Sequence, residues 1–270
     1  MRTYAIAVFL FLYIPIGIIV LFSFNAGRHA SELRGLSVQW YSKALSNPFV
    51  SDAFVTSLII ALSVAVLSTL LGTTAALALQ RLKGPLRTFF DGMIYVSVMV
   101  PGIVIGIATL VALVTVFDFL NPLLASLWPE GMKPPKLHMG YASVIAAHTL
   151  FTMSMVIILV RARISGMDRT LIEASMDLYA TPWRTFYQVT LPQIFPAILA
   201  GFLLSFTFSF DDFIISFFVA GPNTTLPIYI FSSIRRGITP EVNAIGTMVL
   251  VTSLILLLAA QYVLNRREPR

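Results

Sequence analysis

The chain has no cysteine, three histidines and little charge, 11% of residues against 57% hydrophobic ones. Without cysteine there is no disulfide, no thiol nucleophile and no cysteine-bound metal, although this identifies no compartment. The sequence also lacks a Walker P-loop, H-E-x-x-H, G-x-S-x-G and a G-x-G-D-like intramembrane protease site, so the enzyme classes those motifs mark are set aside. The scarcity of charge, with a mean hydropathy of +0.87, lies outside the range of soluble globular domains. The net charge of +6 comes without any aromatic–basic repeat or nucleic-acid motif. It is read as topology and headgroup attraction, with no nucleic acid as partner.

What the chain does have is long apolar runs. About 20 apolar residues cross the roughly 30 Å of hydrocarbon in a bilayer. Six such runs are placed at about 3–24, 53–79, 93–117, 141–160, 194–219 and 244–264. Each is continuously apolar, whereas a barrel strand alternates, so the predicted class is all-α, a single membrane domain of six transmembrane helices over 1–270. The first run has no small-x-small cleavage site after it and is read as an uncleaved anchor.

Basic residues orient the spans. With the N-terminus inside, Arg2, Arg81, Lys83, Arg87, Arg161, Arg163, Arg169, Arg184, Arg266, Arg267 and Arg270 are cytoplasmic and crowd the helix ends, which puts both termini in the cytoplasm. Of the external loops, the first carries Val38-Gln39-Trp40-Tyr41 and Ala44-Leu45, predicted as an amphipathic interfacial helix. The loop 121–140 holds Pro122, Pro129, Pro134 and Pro135 and is expected to be an extended cover. The apolar stretch 226–231 is too short to span and is either re-entrant or interfacial. His29 and His138 fall in external loops without ligand-spaced partners.

Inside the spans, Pro101 is expected to kink or break the third helix, and Gly102 with Gly106 forms a small-xxx-small pattern for close packing. Asp211 and Asp212 are the sharpest site candidates, since an ionised carboxylate in a membrane helix costs about 2.5–3.5 kcal/mol and faces a cavity or a partner. Adjacent residues point about 100° apart on a helix, so one acid can meet a solute while the other caps, pairs or binds water. The alternative is a structural pair satisfied by Ser205, Ser209, Ser216 or a neighbouring subunit. His148 is either a titrating group that couples to protons or a hydrogen-bonded packing residue. Glu241 is placed at the start of the sixth helix, where the macrodipole favours an anion.

A polar block, 161–193, separates the fourth and fifth runs. Asp168 can cap a short helix bearing Leu171, Ile172, Met176 and Tyr179 as apolar knobs. Thr181 and Pro182 start a second helix carrying Trp183, Phe186, Tyr187 and Val189. Apolar residues rimmed by charge at a membrane surface indicate a protein partner, or else a loop lying on lipid headgroups.

Glu173-Ala174-Ser175, then Asp177, Ala180, Val189 and Leu191-Pro192, resemble the EAA loop of ABC-importer permeases, whose pattern is E-A-A, three residues, G, and about nine more ending in I-x-L-P. Tyr179 stands where that pattern has its glycine. Trp40-Tyr41, Leu204-Ser205-Phe206-Thr207 with Asp211-Asp212, and Thr239-Pro240-Glu241-Val242-Asn243-Ala244 extend the similarity over nearly the whole chain, most closely to inner-membrane permeases of the spermidine/putrescine type. In such polyamine permeases an acid often follows the mid-membrane proline of the third helix; here Gly102 does. The resemblance implies a type I ABC-importer permease of the bacterial inner membrane, non-enzymatic and ATP-driven, with no cofactor of its own. It implies a second homologous permease, two ATPase subunits that use ATP and Mg, and a periplasmic solute-binding protein. Leu171, Ile172, Glu173, Ala174, Ser175, Asp177, Tyr179, Ala180, Leu191 and Pro192 would couple to the ATPase. Asp211, Asp212, Ser205, Ser209, Pro101 and Trp40 would be candidates for the solute pathway. Polyamine, another small solute of amino-acid-like kind, and a proton-coupled secondary transporter stay as alternatives.

Overall fold

A backbone that crosses hydrocarbon must bond to itself, and the apolar runs of this chain do so as helices. The computed structural model describes residues 2–28, 32–129, 131–237 and 239–265; His29, Arg266, Arg267 and Arg270, used above for loops and orientation, lie outside them. The helices are α1 (Arg2–Ser23), α2 (Gln39–Ser46), α3 (Pro48–Leu79), α4 (Pro85–Met99), α5 (Gly102–Leu127), α6 (Tyr141–Ser165), α7 (Thr170–Asp177), α8 (Pro182–Thr185), α9 (Leu191–Asp211), α10 (Ile214–Val219), α11 (Leu226–Arg236) and α12 (Pro240–Asn265). Among the described residues, five stretches are long and apolar enough to cross a membrane, namely Thr3–Ser23, α3, α5, α6 and Pro182–Asp211, and α12 adds a shorter apolar stretch over Pro240–Ile255. Among the described residues there is no β-strand, only an isolated bridge between Asn25 and Leu36.

The break expected at Pro101 is found, and two expectations are corrected by this helix order. The third run is two helices, because Val100 and Pro101 are extended (ψ 130 and 138) and separate α4 from α5. A residue before proline avoids the helical region, and proline offers no N–H to continue the ladder. The loop expected from 121 begins later: α5 runs through Pro122 to Leu127, since the one hydrogen bond lost at a proline is tolerated in a long apolar helix. The fifth run is not continuous to 219, for α9 ends at Asp211, Asp212 is extended (ψ 120), and α10 restarts at Ile214. The stretch at 226 is an amphipathic helix of 11 residues ending in Arg235 and Arg236.

The chain divides into two compact units, Met1–Val55 with Leu226–Arg270, and Thr56–Thr225. In the first, α1 and α2 pack on α12. Asn25 organises the turn after α1: its side chain donates to the Glu32 carbonyl (2.7 Å) and accepts from the Arg34 and Gly27 amides. The predicted amphipathic helix is α2, and its Trp40 is buried, with Nε1 donating to the Asn25 carbonyl at 2.8 Å and Lys43 over the ring. Asn47 accepts from the Phe49 amide at the start of α3 and donates to Tyr229 and to Glu241, which lies in the first turn of α12.

In the second unit α6 is the central helix, with more than half of its apolar stretch buried, whereas none of the apolar stretch of α1 is. Its Val156 fits against two glycines: a Cβ on Gly72 of α3 would come within 2.8 Å of the valine Cβ, and one on Gly201 of α9 within 3.2 Å of its side chain. Along α9, Gly201, Ser205 and Ser209 recur every four residues and are all buried on the α6 side. This small-residue stripe lets the two backbones approach closely. Of the predicted glycine pair, Gly106 is the working contact, since a Cβ there would strike Phe218 of α10 at 2.8 Å, whereas Gly102 has open space.

Candidate functional site

The polar block folds as two short helices on a fixed base. At the base, Arg163 Nε at the end of α6 donates to the Gln193 carbonyl in the first turn of α9 (2.9 Å). Asp168 accepts from both the amide and the hydroxyl of Thr170 (2.9 and 2.7 Å), satisfying a free donor at the start of α7. The Thr170 hydroxyl, and then its amide, hold the Asp168 carboxyl below the usual carboxylate range. Glu173 lies exposed in the first turn of α7, where the macrodipole favours its charge.

The turn that ends α7 is closed by its own backbone. The Ala180 amide donates to the Ser175 carbonyl (3.1 Å) and the Tyr179 amide to the Met176 carbonyl (2.9 Å), the paired bonds of a Schellman motif. Such a motif needs a left-handed residue at the position of Tyr179, and Tyr179 supplies it with φ 58. The turn keeps the shape a glycine would give it, at a conformational cost of about 1–2 kcal/mol for a residue with a Cβ. The ring is 96% exposed, so no packing within the chain offsets that strain.

The second half restarts at Pro182, with Thr181 accepting from the Arg184 amide. A second rung joins the halves, since the Ser175 hydroxyl lies 2.9 Å from that of Thr185, which is buried. Thr185 was not singled out in the sequence, and its only signal was a hydroxyl two residues after a tryptophan in an exposed loop. Five residues, Phe186–Thr190, form a wider π turn before Pro192, which has no amide to donate. Outward from this frame stand Leu171, Met176, Leu178, Tyr179, Trp183 and Tyr187, all more than half exposed. Trp183 stacks on Phe186, and Tyr187 meets both edge-on, with ring centroids 5.1–5.8 Å apart. Ala174, Asp177 and Pro192 are exposed with them, while Ile172, Ala180 and Leu191 are half-buried. Apolar surface held this far out, beside Glu173, is suited to a protein groove.

The pathway candidates separate by burial. Ser205 and Ser209 face α6, Ser205 with no hydrogen-bond partner among the described residues. Pro101 is exposed at the α4–α5 break, and Trp40 is the buried packing residue of the first unit. Asp211 is exposed at the end of α9, and Asp212 turns inward. Asp212 Oδ2 accepts the Ser216 amide (3.0 Å) and lies 3.2 Å from Nε2 of His148, which is 2% exposed. His148 is therefore a hydrogen-bonded interior residue, and the two acids have different roles in the fold. No group of side chains suited to a metal ion occurs among the described residues.

With this geometry the chain can be set beside known proteins. It is 36% identical over 263 residues to the putrescine transport system permease protein PotI of Escherichia coli, covering 96% of this chain and 89% of that one. It is 35% identical over 258 residues to the spermidine/putrescine transport system permease protein PotC of the same organism, covering 95% and 90%. Among solved structures, a bacterial ABC transporter involved in the import of the acidic polysaccharide alginate superimposes with a TM-score of 0.77 at 16% identity, covering 98% of this chain and 94% of that one. The MetNI methionine ABC transporter does so with a TM-score of 0.58 at 14% identity, over 83% and 100%. Residues 68–270 match the family described as binding-protein-dependent transport system inner membrane component. The two-helix loop and the broken α9–α10 span thus belong to an importer permease fold, and the chain is a member of the binding-protein-dependent transport system inner membrane component family.

Proposed function

We propose that this permease forms half of the translocation pathway of an ATP-driven polyamine importer in a bacterial inner membrane. The observation that carries the solute is the similarity, over nearly the full chain, to permeases named for putrescine and spermidine. An exposed carboxylate at Asp211, beside a break in a membrane span, is the chemistry an organic cation would meet. Both termini are cytoplasmic in this reading. The partners are a second homologous permease, two ATPase subunits that bind ATP and Mg, and a periplasmic solute-binding protein.

The loop with Glu173 docks in a groove of the ATPase. Closure of the ATPase pair on ATP moves the docked loops, and because α7 and α8 are joined to each other and lie in the chain between α6 and α9, whose adjoining ends are also joined, the movement is passed along α9 to the acids at its far end. One observation favours a second reading, an importer of the same class for another small solute such as an amino-acid-like compound: Gly102, without charge, follows Pro101. ATPase activity and uptake by the reconstituted complex with its binding protein separate the two. Stimulation by putrescine or spermidine supports the polyamine reading. Stimulation by an amino-acid-like solute alone replaces it, and uptake driven by a proton gradient without ATP overturns the ATP-driven mechanism.

A further inference from the structure

We propose that His148 is a positioning residue for transport: from α6 it holds the break between α9 and α10 and so sets the direction in which Asp211 faces. The inference rests on the reading of Asp211 as a pathway carboxylate. A break inside an apolar span leaves helix-end groups without intrahelical partners, and in hydrocarbon they must be satisfied from nearby. Asp212 meets part of this need by accepting the Ser216 amide, but its own charge then needs a partner.

His148 is that partner, and it reaches both sides of the break. Its Nδ1 lies 2.8 Å from the Ser209 hydroxyl in the last turn of α9. Its Nε2 lies 3.2 Å from Asp212 Oδ2 and 3.2 Å from the Ser216 hydroxyl in the first turn of α10. With Asp212 ionised, the acceptor-only carboxylate calls for the proton on Nε2, and Nδ1 of a neutral ring then accepts from Ser209. A ring held at both nitrogens, almost fully buried, cannot turn without losing bonds on one side of the break.

The same contacts aim Asp211. Two residues along a helix correspond to about 200°, so with Ser209 against α6, Asp211 points to the other side of α9. Thr207, Phe208 and Asp211 indeed form the exposed line of this turn, and Ser205 and Ser209 the buried one. Gly106 of α5 lies against Ile215 and Phe218, so α10 is held from a second side and the free variable is the last turn of α9. Loss of the His148 contacts lets that turn rotate and carries Asp211 with it.

The test uses the absence of cysteine, since Asp211→Cys gives this chain a single thiol. In the complete reconstituted complex, the rate of maleimide labelling at that thiol is compared with His148 intact, with His148→Ala and with His148→Gln, whose amide can donate from a similar position. We expect His148→Ala to change the rate on the order of tenfold, as misplacement of a positioned group does. We expect His148→Gln to restore most of the original rate. An unchanged rate in His148→Ala overturns the proposal. Where that variant does not assemble, Ser209→Ala is read in the same way and should shift the rate in the same direction.

Putrescine uptake is measured in parallel with Asp211 present. His148→Ala should lower the maximal rate about tenfold, and adding Asp211→Asn should cause little further loss, because both changes remove the same positioned carboxylate. Losses that multiply would mean independent effects and would overturn the proposal. If Asp211→Asn alone transports normally while labelling still follows His148, the hold on the break stands and the pathway reading of Asp211 falls.

Discussion

Two interruptions of helix in the second unit solve the same problem in opposite ways. The turn between α7 and α8 satisfies its backbone locally, through a Schellman pair and a threonine cap, and turns its apolar side chains outward. The break between α9 and α10 caps the Ser216 amide with Asp212, ties Ser209, Asp212 and Ser216 to a histidine from another helix, and leaves only Asp211 of its two acids exposed. The difference follows the surroundings. Where water is present a turn can be self-sufficient and leave its surface for a partner, whereas in hydrocarbon the partner must be built into the fold.

The comparison is broken most severely at the loop's outward face. Glu173→Ala should abolish uptake while the chain stays in the membrane, with loss of ATPase co-purification on the order of a binding hot spot, about 2 kcal/mol or more. Unchanged association and uptake would remove the docking role. Next comes the packing on α6: Gly72→Val places a branched side chain where Val156 already sits, and overpacking of this kind costs about 1–3 kcal/mol. Detergent thermal stability should fall accordingly, and Gly102→Val, at open space, should leave it nearly unchanged. The inward and outward acids are then separated by Asp211→Asn, which should lower uptake far more than assembly; equal loss of both would give Asp211 a structural role.

The smaller effects lie in the loop's own turns. Tyr179→Gly should relieve about 1 kcal/mol of backbone strain, seen as slower amide exchange over 175–180. If the exposed ring contacts the ATPase, the same variant should nevertheless couple less well, so stability and uptake move in opposite directions. The smallest effect is at Asp168. Its carboxyl is held low by Thr170, so the stabilisation is present above the unfolded carboxylate pKa, near 3.9, and is lost only as pH falls through the lower folded value. Asp168→Ala should therefore loosen the start of α7 at neutral pH and remove this acid dependence, as followed by amide exchange at Thr170.

Much of this was legible in the linear pattern. Apolar runs of membrane length require helices whatever they pack against, and Pro101 announces an interruption because its ring removes a donor wherever it stands. Asp168, Thr181 and Pro182 mark the loop's helix starts by short-range chemistry, and the glycine position occupied by Tyr179 marks the turn. Other features were not legible. Nothing local ends α9 at Asp211, since no proline or glycine stands there, and the continuation of α5 through Pro122 depends on the apolar length around it. The stripe Gly201, Ser205 and Ser209 has the spacing of a packing face, yet its significance required knowing that α6 lies against it.

By itself, then, the sequence determined the helical class, the presence of apolar runs long enough to span and the two-helix loop, because these depend on hydrophobic length and on bonds between residues a few positions apart. Only the tertiary structure decided which of two adjacent acids faces outward and which is paired. His148 and Asp212 are 64 positions apart along the chain, and no local preference encodes a contact that exists only once α6 and α9 are packed.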